Sequence, residues 1–186
     1  MAIGFVQKLK KKLGRYFLQR DGDVKRRRRG SNFSTANHVA ILYKDEDEQF
    51  FKQIKAYVKY LHEEHGIRKV MAFGFIDTDE KNIPIWHAHK LKFDYFTRAD
   101  LNWHLKPSTA VQTFTDQEFD ILIDLSDEDC VPLRWVLAHS QAKMKVGRQG
   151  NTHDKDYDLL IDVETDERKD KFIEQVNFYL SNLTIQ

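Results

Sequence analysis

Apolar and polar positions follow two different periods along this chain, and the changes from one to the other lay out a series of strands and helices. His38 to Tyr43, HVAILY, is a short run rich in strand-forming residues and predicts a first strand. From Asp45 to His65 the apolar residues recur at Phe50, Phe51, Ile54, Tyr57, Val58 and Leu61, which is the spacing of one helical face. Asp45, Glu46, Asp47 and Glu48 stand at its start, where negative charge favours the helix dipole, and Gly66 closes it. Lys69 to Ile76, KVMAFGFI, is apolar without alternation and fits a central strand covered on both faces. Strand, helix and strand in this length make a βαβ crossover, with the right-handed sense expected.

The pattern then loosens. Asp77 to Pro84 reads as a polar turn. Ile85 to Phe96 alternates from Lys90 onward, with Leu91, Phe93 and Tyr95 on one side and Lys92, Asp94 and Phe96 on the other, predicting a half-exposed or edge strand. Residues 97–118 have no clear period. Phe119 to Gly147 restores the order: a buried strand over 119–125, a helix over 131–140 with Pro132 in its first turn, and a strand over 142–146. Tyr157 to Val163, YDLLIDV, echoes FDILIDL as a further buried strand. Asp166 to Leu183 is a last amphipathic helix, with Phe172, Ile173, Val176, Phe178, Tyr179 and Leu180. The expected fold is α/β, three-layer, with a mostly parallel open sheet of the Rossmann-like, doubly wound kind, one antiparallel edge allowed, preceded by a cationic amino-terminal helix.

Charge divides the chain differently. Of 186 residues, 30 are basic and 29 acidic. Residues 1–30 hold 11 of the basic residues and only Asp21 and Asp23 as acids, a net charge of +9; residues 31–186 hold 19 basic and 27 acidic, a net charge of −8. The expected organisation is a basic helix and arm over 1–30 and a single α/β domain over 31–186, an asymmetry that points to an anionic partner for the arm.

Within the arm, at 100° per residue, Ala2, Phe5, Val6, Leu9, Leu13, Tyr16 and Phe17 fall within about a third of a turn of one another, with Lys8, Lys11, Lys12 and Arg15 opposite. Three uses of such a helix are open: its stripe docks on the body, it lies on an anionic membrane, or it presses onto nucleic-acid phosphates. Lys25, Arg26, Arg27, Arg28 and Arg29 follow without apolar periodicity, an exposed tether or a phosphate-binding segment. The apolar patch before Lys8 is too short for the core of a secretory signal. The longest uncharged apolar run, Val70 to Ile76, is far below the roughly 20 residues that span a bilayer. Together with a single cysteine, Cys130, this predicts a reducing, cytoplasmic setting.

Candidate chemistry gathers at the carboxyl ends of the predicted strands, where open α/β sheets bind ligands. Asp124, Asp127, Glu128 and Asp129 follow one strand and Asp162, Glu164 and Asp166 another. If the strands are neighbours, these acids suit a divalent ion such as Mg²⁺; alternatively they cap the helix that follows. Arg148, in the turn Gly147 to Gly150, suits a phosphate or is merely solvated. His87 and His89 would share a strand face and take a third ligand such as His104. Cys130 has no partner base in sequence, and neither glycine-rich phosphate motif occurs.

The basic amino-terminal helix, FDILIDLS followed by PLRWVLAHSQAKMKVG, and DLLIDV before a terminal helix with YLSNL resemble an uncharacterised bacterial family of small α/β proteins, a domain of unknown function. The resemblance implies the fold and a bacterial cytosolic setting, and no activity. FDILIDLS with LAHSQAKMKVG also resembles about 30 residues in the amino-terminal half of heptosyltransferase-type glycosyltransferases. No second Rossmann-like domain follows to bind a sugar nucleotide, so this second likeness implies only a doubly wound sheet.

The leading expectation is therefore a non-enzymatic binding or accessory protein without a cofactor. Its arm, through Lys8, Lys11, Lys12, Arg15, Lys25, Arg26, Arg27, Arg28 and Arg29, engages RNA or the ribosome ahead of an anionic membrane surface, in the latter case at the periphery of the inner membrane. The rival is a small enzyme acting on a phosphorylated or nucleotide substrate, using Asp124 and Asp127 with Mg²⁺ and Arg148 for phosphate. A third reading makes the apolar stripe a docking face for a protein partner or a second copy in a homodimer.

Overall fold

The computed structural model describes residues 2–21, 24–87, 93–126, 130–150, 154–163 and 168–185. Among these, β1 (His38–Lys44), β2 (Lys69–Ile76), β3 (Phe93–Thr97), β4 (Ile121–Asp124), β5 (Met144–Arg148) and β6 (Leu159–Ile161) form a six-stranded sheet in the order β3-β2-β1-β4-β5-β6. Every neighbouring pair is parallel. The helices are α1 (Ala2–Asp21), α2 (Glu48–Glu63), α3 (Gln112–Thr115), α4 (Val131–His139) and α5 (Lys169–Asn182).

Strand alternation sorts the core into two layers. Val39, Ile41, Tyr43, Ile121, Ile123 and Val146 pack with Phe50, Phe51, Ile54, Tyr57, Val58 and Leu61 of α2 and with Phe172, Val176 and Leu180 of α5. Ala40, Leu42, Phe73, Phe75 and Leu122 point the other way, onto Phe114 of α3 and Leu133, Val136 and Leu137 of α4. Asp47 fixes the start of α2 by accepting a hydrogen bond from the Phe50 amide at 2.7 Å.

The order has a consequence for ligands. From β1 the chain crosses to β2 through α2 on one face, whereas from β4 it crosses to β5 through α4 on the opposite face. Between β1 and β4 the two connections leave in opposite directions, which is the switch point where doubly wound sheets open a crevice at their carboxyl edge.

Outside the α3/α4 layer lies α1. Val131 to Ala138 of α4 are all buried, as a helix covered on every side must be. The sheet covers one side, and on the other Val131, Trp135 and Ala138 form a small cluster with Leu18 of α1. A Cβ on Gly14 would stand 2.6 Å from the His104 carbonyl oxygen and 2.8 Å from Val131 Cγ1, so glycine is what lets α1 approach this closely.

Two details differ from the pattern-based reading. Among the described strands neither edge is antiparallel: the 16 residues between Ile76 and Phe93 give room to return to the start of the sheet. Ile85–His87 is a 3₁₀ turn instead of the beginning of that strand, and residues 88–92 lie outside the described residues. The irregular stretch over 97–118 contains the short helix α3, whose Phe114 stacks on Phe73 with ring centroids 4.3 Å apart.

Candidate functional site

The docked edge of α1 is not centred on its apolar stripe, of which Phe17 alone among Val6, Leu9, Tyr16 and Phe17 is half-buried against the α4 cluster. Gly14 and Leu18 are buried against α4, whereas Val6, Leu9 and Tyr16 are 49%, 46% and 57% exposed and Leu13 is half-buried. At 100° per residue the buried edge is centred roughly a third of a turn from the stripe. A small residue and one leucine suffice for a close helix–helix contact, and the larger apolar residues are left facing outward. Exposed Trp103 borders the stripe, its ring 5.6 Å from that of Phe17, itself 5.5 Å from Tyr16. Lys8, Lys12 and Arg15 are exposed on the same helix. Among the described residues neither Lys8 nor Lys12 has an acidic partner within ion-pair distance. At the end of α1, Lys106 Nζ bonds Asp21 at 2.6 Å. This bond holds the Asp21 carboxyl below its usual range, against the opposing effect of its slight burial.

The basic run that follows is partly structural. Arg26 donates to the carbonyls of Ala142 (3.1 Å) and Lys143 (2.9 Å) and to Asp158 (2.6 Å), with its side chain only 4% exposed. The Arg29 amide donates to the Lys143 carbonyl at 3.1 Å. Arg26 therefore nails the segment to the start of β5. Lys25, Arg27, Arg28 and Arg29 are displayed outward, with Arg28 3.7 Å from Asp158.

Beneath α1, at the carboxyl edge of the sheet, lies a crevice of about 340 Å³. Lys44 ends β1, Phe75 lies near the end of β2 and Asp77 just after it, Arg98 follows β3, and Cys130 precedes Val131 and Pro132 at the start of α4; Lys10 and Lys11 of α1 border it above. It lies over the carboxyl ends of β1 and β2 and against the start of α4. Four cations meet one described acid, Asp77, which accepts from Arg98 Nε at 2.6 Å. Burial pushes the Cys130 thiol up to about 12, which favours its neutral form. Leu105, which also lines the crevice, has a φ of 65°, the one positive value for a non-glycine among the described residues.

Of the candidate strand-end residues, Asp124 and Arg148 are held apart by alternation. Asp124, 2% exposed, turns to the α4 face. It accepts hydrogen bonds from the Ser126 amide (2.9 Å), Ser126 Oγ (2.6 Å) and Tyr157 Oη (2.7 Å). Tyr157 reaches it by lying across Gly147, where a Cβ would be 2.3 Å from the ring. Arg134 and Asp156, bonded at 2.5 Å, complete this buried polar cluster. Burial raises the Asp124 carboxyl above its ordinary value despite these donors, and raises the Tyr157 phenol further. Arg148 lies on the α5 face, its guanidinium 5.0 Å from the Phe172 ring centroid. Asp127, Glu128, Asp129, Glu164 and Asp166 lie outside the described residues, as does His89. His87 is buried and bonded to Asp45 at 2.8 Å beside Phe51, whereas His104 sits beside Phe17 and Trp135 across the sheet, so these two histidines do not share a site. No group of three or more metal-ligating side chains occurs among the described residues.

The crevice residues Lys10, Lys44 and Arg98 are absent from the sequence-derived candidates. Lys44 carried the one available signal, a cation ending the first strand of a doubly wound pattern; Lys10 and Arg98 join it only through tertiary packing.

The chain belongs to a family of unknown function (DUF6913), whose pattern matches residues 7–183. No curated protein matches the chain, and no solved structure matches it.

Proposed function

We propose that this member of the family is a binding protein whose helix α1 docks the α/β domain onto an anionic membrane surface from the cytoplasmic side. The observation that carries the reading is the orientation of α1. Because Gly14 and Leu18 make the contact with α4, Val6, Leu9 and Tyr16 face outward together with Lys8, Lys12 and Arg15. An apolar stripe flanked by exposed lysines is what an anionic lipid interface takes up, the apolar groups entering the acyl boundary and the cations staying among the headgroups. Exposed Trp103 and Tyr16 suit the same depth, where amphipathic rings collect. No described helix is long and apolar enough to cross a membrane, so the proposed association is peripheral.

Co-sedimentation of the full chain with vesicles of phosphatidylglycerol and phosphatidylcholine tests this. Binding is expected to fall with salt, and Leu9→Asp, on an exposed position, is expected to weaken it by about tenfold or more, given the transfer energy of one leucine. Binding unaffected by Leu9→Asp, or equal on pure phosphatidylcholine, would sink the reading.

A second reading has its own support. Lys25, Arg27, Arg28 and Arg29 are outward-facing around the pinned Arg26, a fixed cationic line suited to the phosphates of RNA, the ribosome included. RNA binding lost on replacing Arg27, Arg28 and Arg29 together, and indifferent to Leu9→Asp, would favour it. Self-association through the stripe, seen as a mass that doubles with concentration and reverts in Leu9→Asp, would favour a homodimer.

A further inference from the structure

The amino edge of the sheet, opposite the crevice, carries cations that the outer face of α1 does not use. Where β1 and β2 begin, a groove of about 300 Å³ is lined by His38 of β1, His62 of α2, and Arg68 and Lys69 at the start of β2, beside apolar Val58 and Met71. No described acid lines it. Arg68 and Lys69 are exposed, and among the described residues neither side chain has an acidic partner within ion-pair distance. His62 Nδ1 donates to the Ile67 carbonyl at 2.7 Å, which leaves Nε2 as the nitrogen open to a ligand.

The charges in this groove act on one another. Burial first, and the Lys69 charge next, hold the His38 imidazole below its usual range, with Asp120 opposing them and Lys143 adding to them. Asp120 is itself taken up by Lys143 Nζ at 2.8 Å and by the Asn37 and His38 amides. The carboxyl end of α2 turns about half a negative charge towards this edge, against the two full positive charges of Arg68 and Lys69. The groove keeps an excess of positive charge, which a bound anion would relieve.

One stretch of chain joins this groove to the arginine line. Arg26 and the Arg29 amide fix it at the start of β5, the Phe33 ring packs on His65 with centroids 4.5 Å apart, and the chain then enters β1 at His38. β5 and β2 are three places apart in the sheet, about 14 Å at the usual strand spacing. Arg27, Arg28 and Arg29 therefore stand at one end of a single edge, and Arg68 and Lys69 at the other. Both sets are exposed rather than enclosed, an arrangement that tracks a polyanion instead of closing round a small molecule.

We infer that the groove at the start of β1 and β2 is a phosphate-binding subsite for single-stranded RNA, with Arg68 and Lys69 gripping the backbone and His38 and His62 beside them. The inference rests on the reading of Arg27, Arg28 and Arg29 as an RNA-binding line, and gives that line the second end of its path. It does not depend on what the outer face of α1 binds.

The test is fluorescence anisotropy of the full chain with a short labelled oligouridylate over a series of salt concentrations. Expected is saturable binding that weakens with salt. Arg68→Ala/Lys69→Ala should weaken it by about tenfold and lower the slope of log affinity against log salt by about 1.4, the share of two phosphate contacts on a single strand. Both positions are exposed and Lys69 joins the sheet through its backbone, so the variant keeps the fold. Lys52→Ala/Lys55→Ala removes the same charge from exposed positions in the first half of α2 and should leave affinity and slope as they are. In the complex the His38 imidazole, followed by its proton NMR signal, should titrate higher than in the free chain, because the phosphate brings an opposite charge. No binding of oligouridylate, binding that Arg68→Ala/Lys69→Ala leaves unchanged, or an equal loss in the Lys52/Lys55 control overturns the inference. So does phosphatidylglycerol binding that falls in Arg68→Ala/Lys69→Ala while RNA binding does not. RNA binding lost on replacing Arg27, Arg28 and Arg29 but intact in Arg68→Ala/Lys69→Ala sinks the groove and keeps the line; the opposite pattern sinks the line and keeps the groove.

Discussion

At the scale of single residues, two aspartates one strand-turn apart titrate in opposite directions because of what surrounds them. Asp124 is buried, and its raised carboxyl adds stability that is complete below the ordinary value of 3.8 and lost as pH rises through the raised one. Asp120 is also pushed upward by partial burial. Lys143 Nζ at 2.8 Å and the amides of Asn37 (2.8 Å) and His38 (3.0 Å) outweigh that and hold it below 3.8. Its contribution is therefore complete above 3.8 and lost as pH falls through the lowered value. Asp120→Asn should cost about 2 kcal/mol at pH 7, and the deficit should shrink below pH 3.8. Urea denaturation at both pH values measures it. Gly147→Ala should cost about 2–4 kcal/mol, because the new Cβ displaces the Tyr157 ring and with it the bond to Asp124. The aspartate was visible in sequence, at the end of a buried strand. Its role was not, because the tyrosine that occupies it lies 33 residues on and reaches it only across a glycine in a third element.

At the scale of elements, the strands and helices follow their hydrophobic periods closely, and the misreadings fall where a partner is distant. Five consecutive cations read as unpackable, yet the Arg26 side chain is buried, since Asp158 and the two carbonyls just before β5 accept its hydrogen bonds. Arg26→Ala should cost about 3 kcal/mol, as for breaking a buried ion pair, whereas Arg27→Ala should stay within about 0.5 kcal/mol. Thermal unfolding of the two variants side by side separates the structural arginine from its neighbours. The stripe of α1 was likewise legible, but which edge docks was not: period alone favours the apolar side, and the close approach allowed by Gly14 selects another. Gly14→Leu should release α1 from α4, seen as rapid proteolysis within residues 2–21 while the remaining chain stays folded.

At the scale of the whole molecule, the charge asymmetry read from composition becomes a layered arrangement. The sheet lies between α2/α5 and α3/α4, and α1 forms an outer layer on α4. All four lysines of α1 are exposed; Lys10 and Lys11 border the crevice, and Lys8 and Lys12 do not. The topology was implied by the alternation of strands and helices, but the strand order, and hence where the switch point falls, is a tertiary fact.

The central claim is that the outward face of α1 meets an anionic membrane while the body stays folded behind it. Trp103, exposed and in contact with Phe17 at the border of the stripe, reports on it directly. The measurement is the tryptophan emission of the full chain on titration with phosphatidylglycerol vesicles, with and without brominated acyl chains, against a Trp103→Phe control. The account predicts a blue shift and bromine quenching that vanish in the control and at high salt. Vesicle-bound protein whose Trp103 emission is unshifted and unquenched would contradict it.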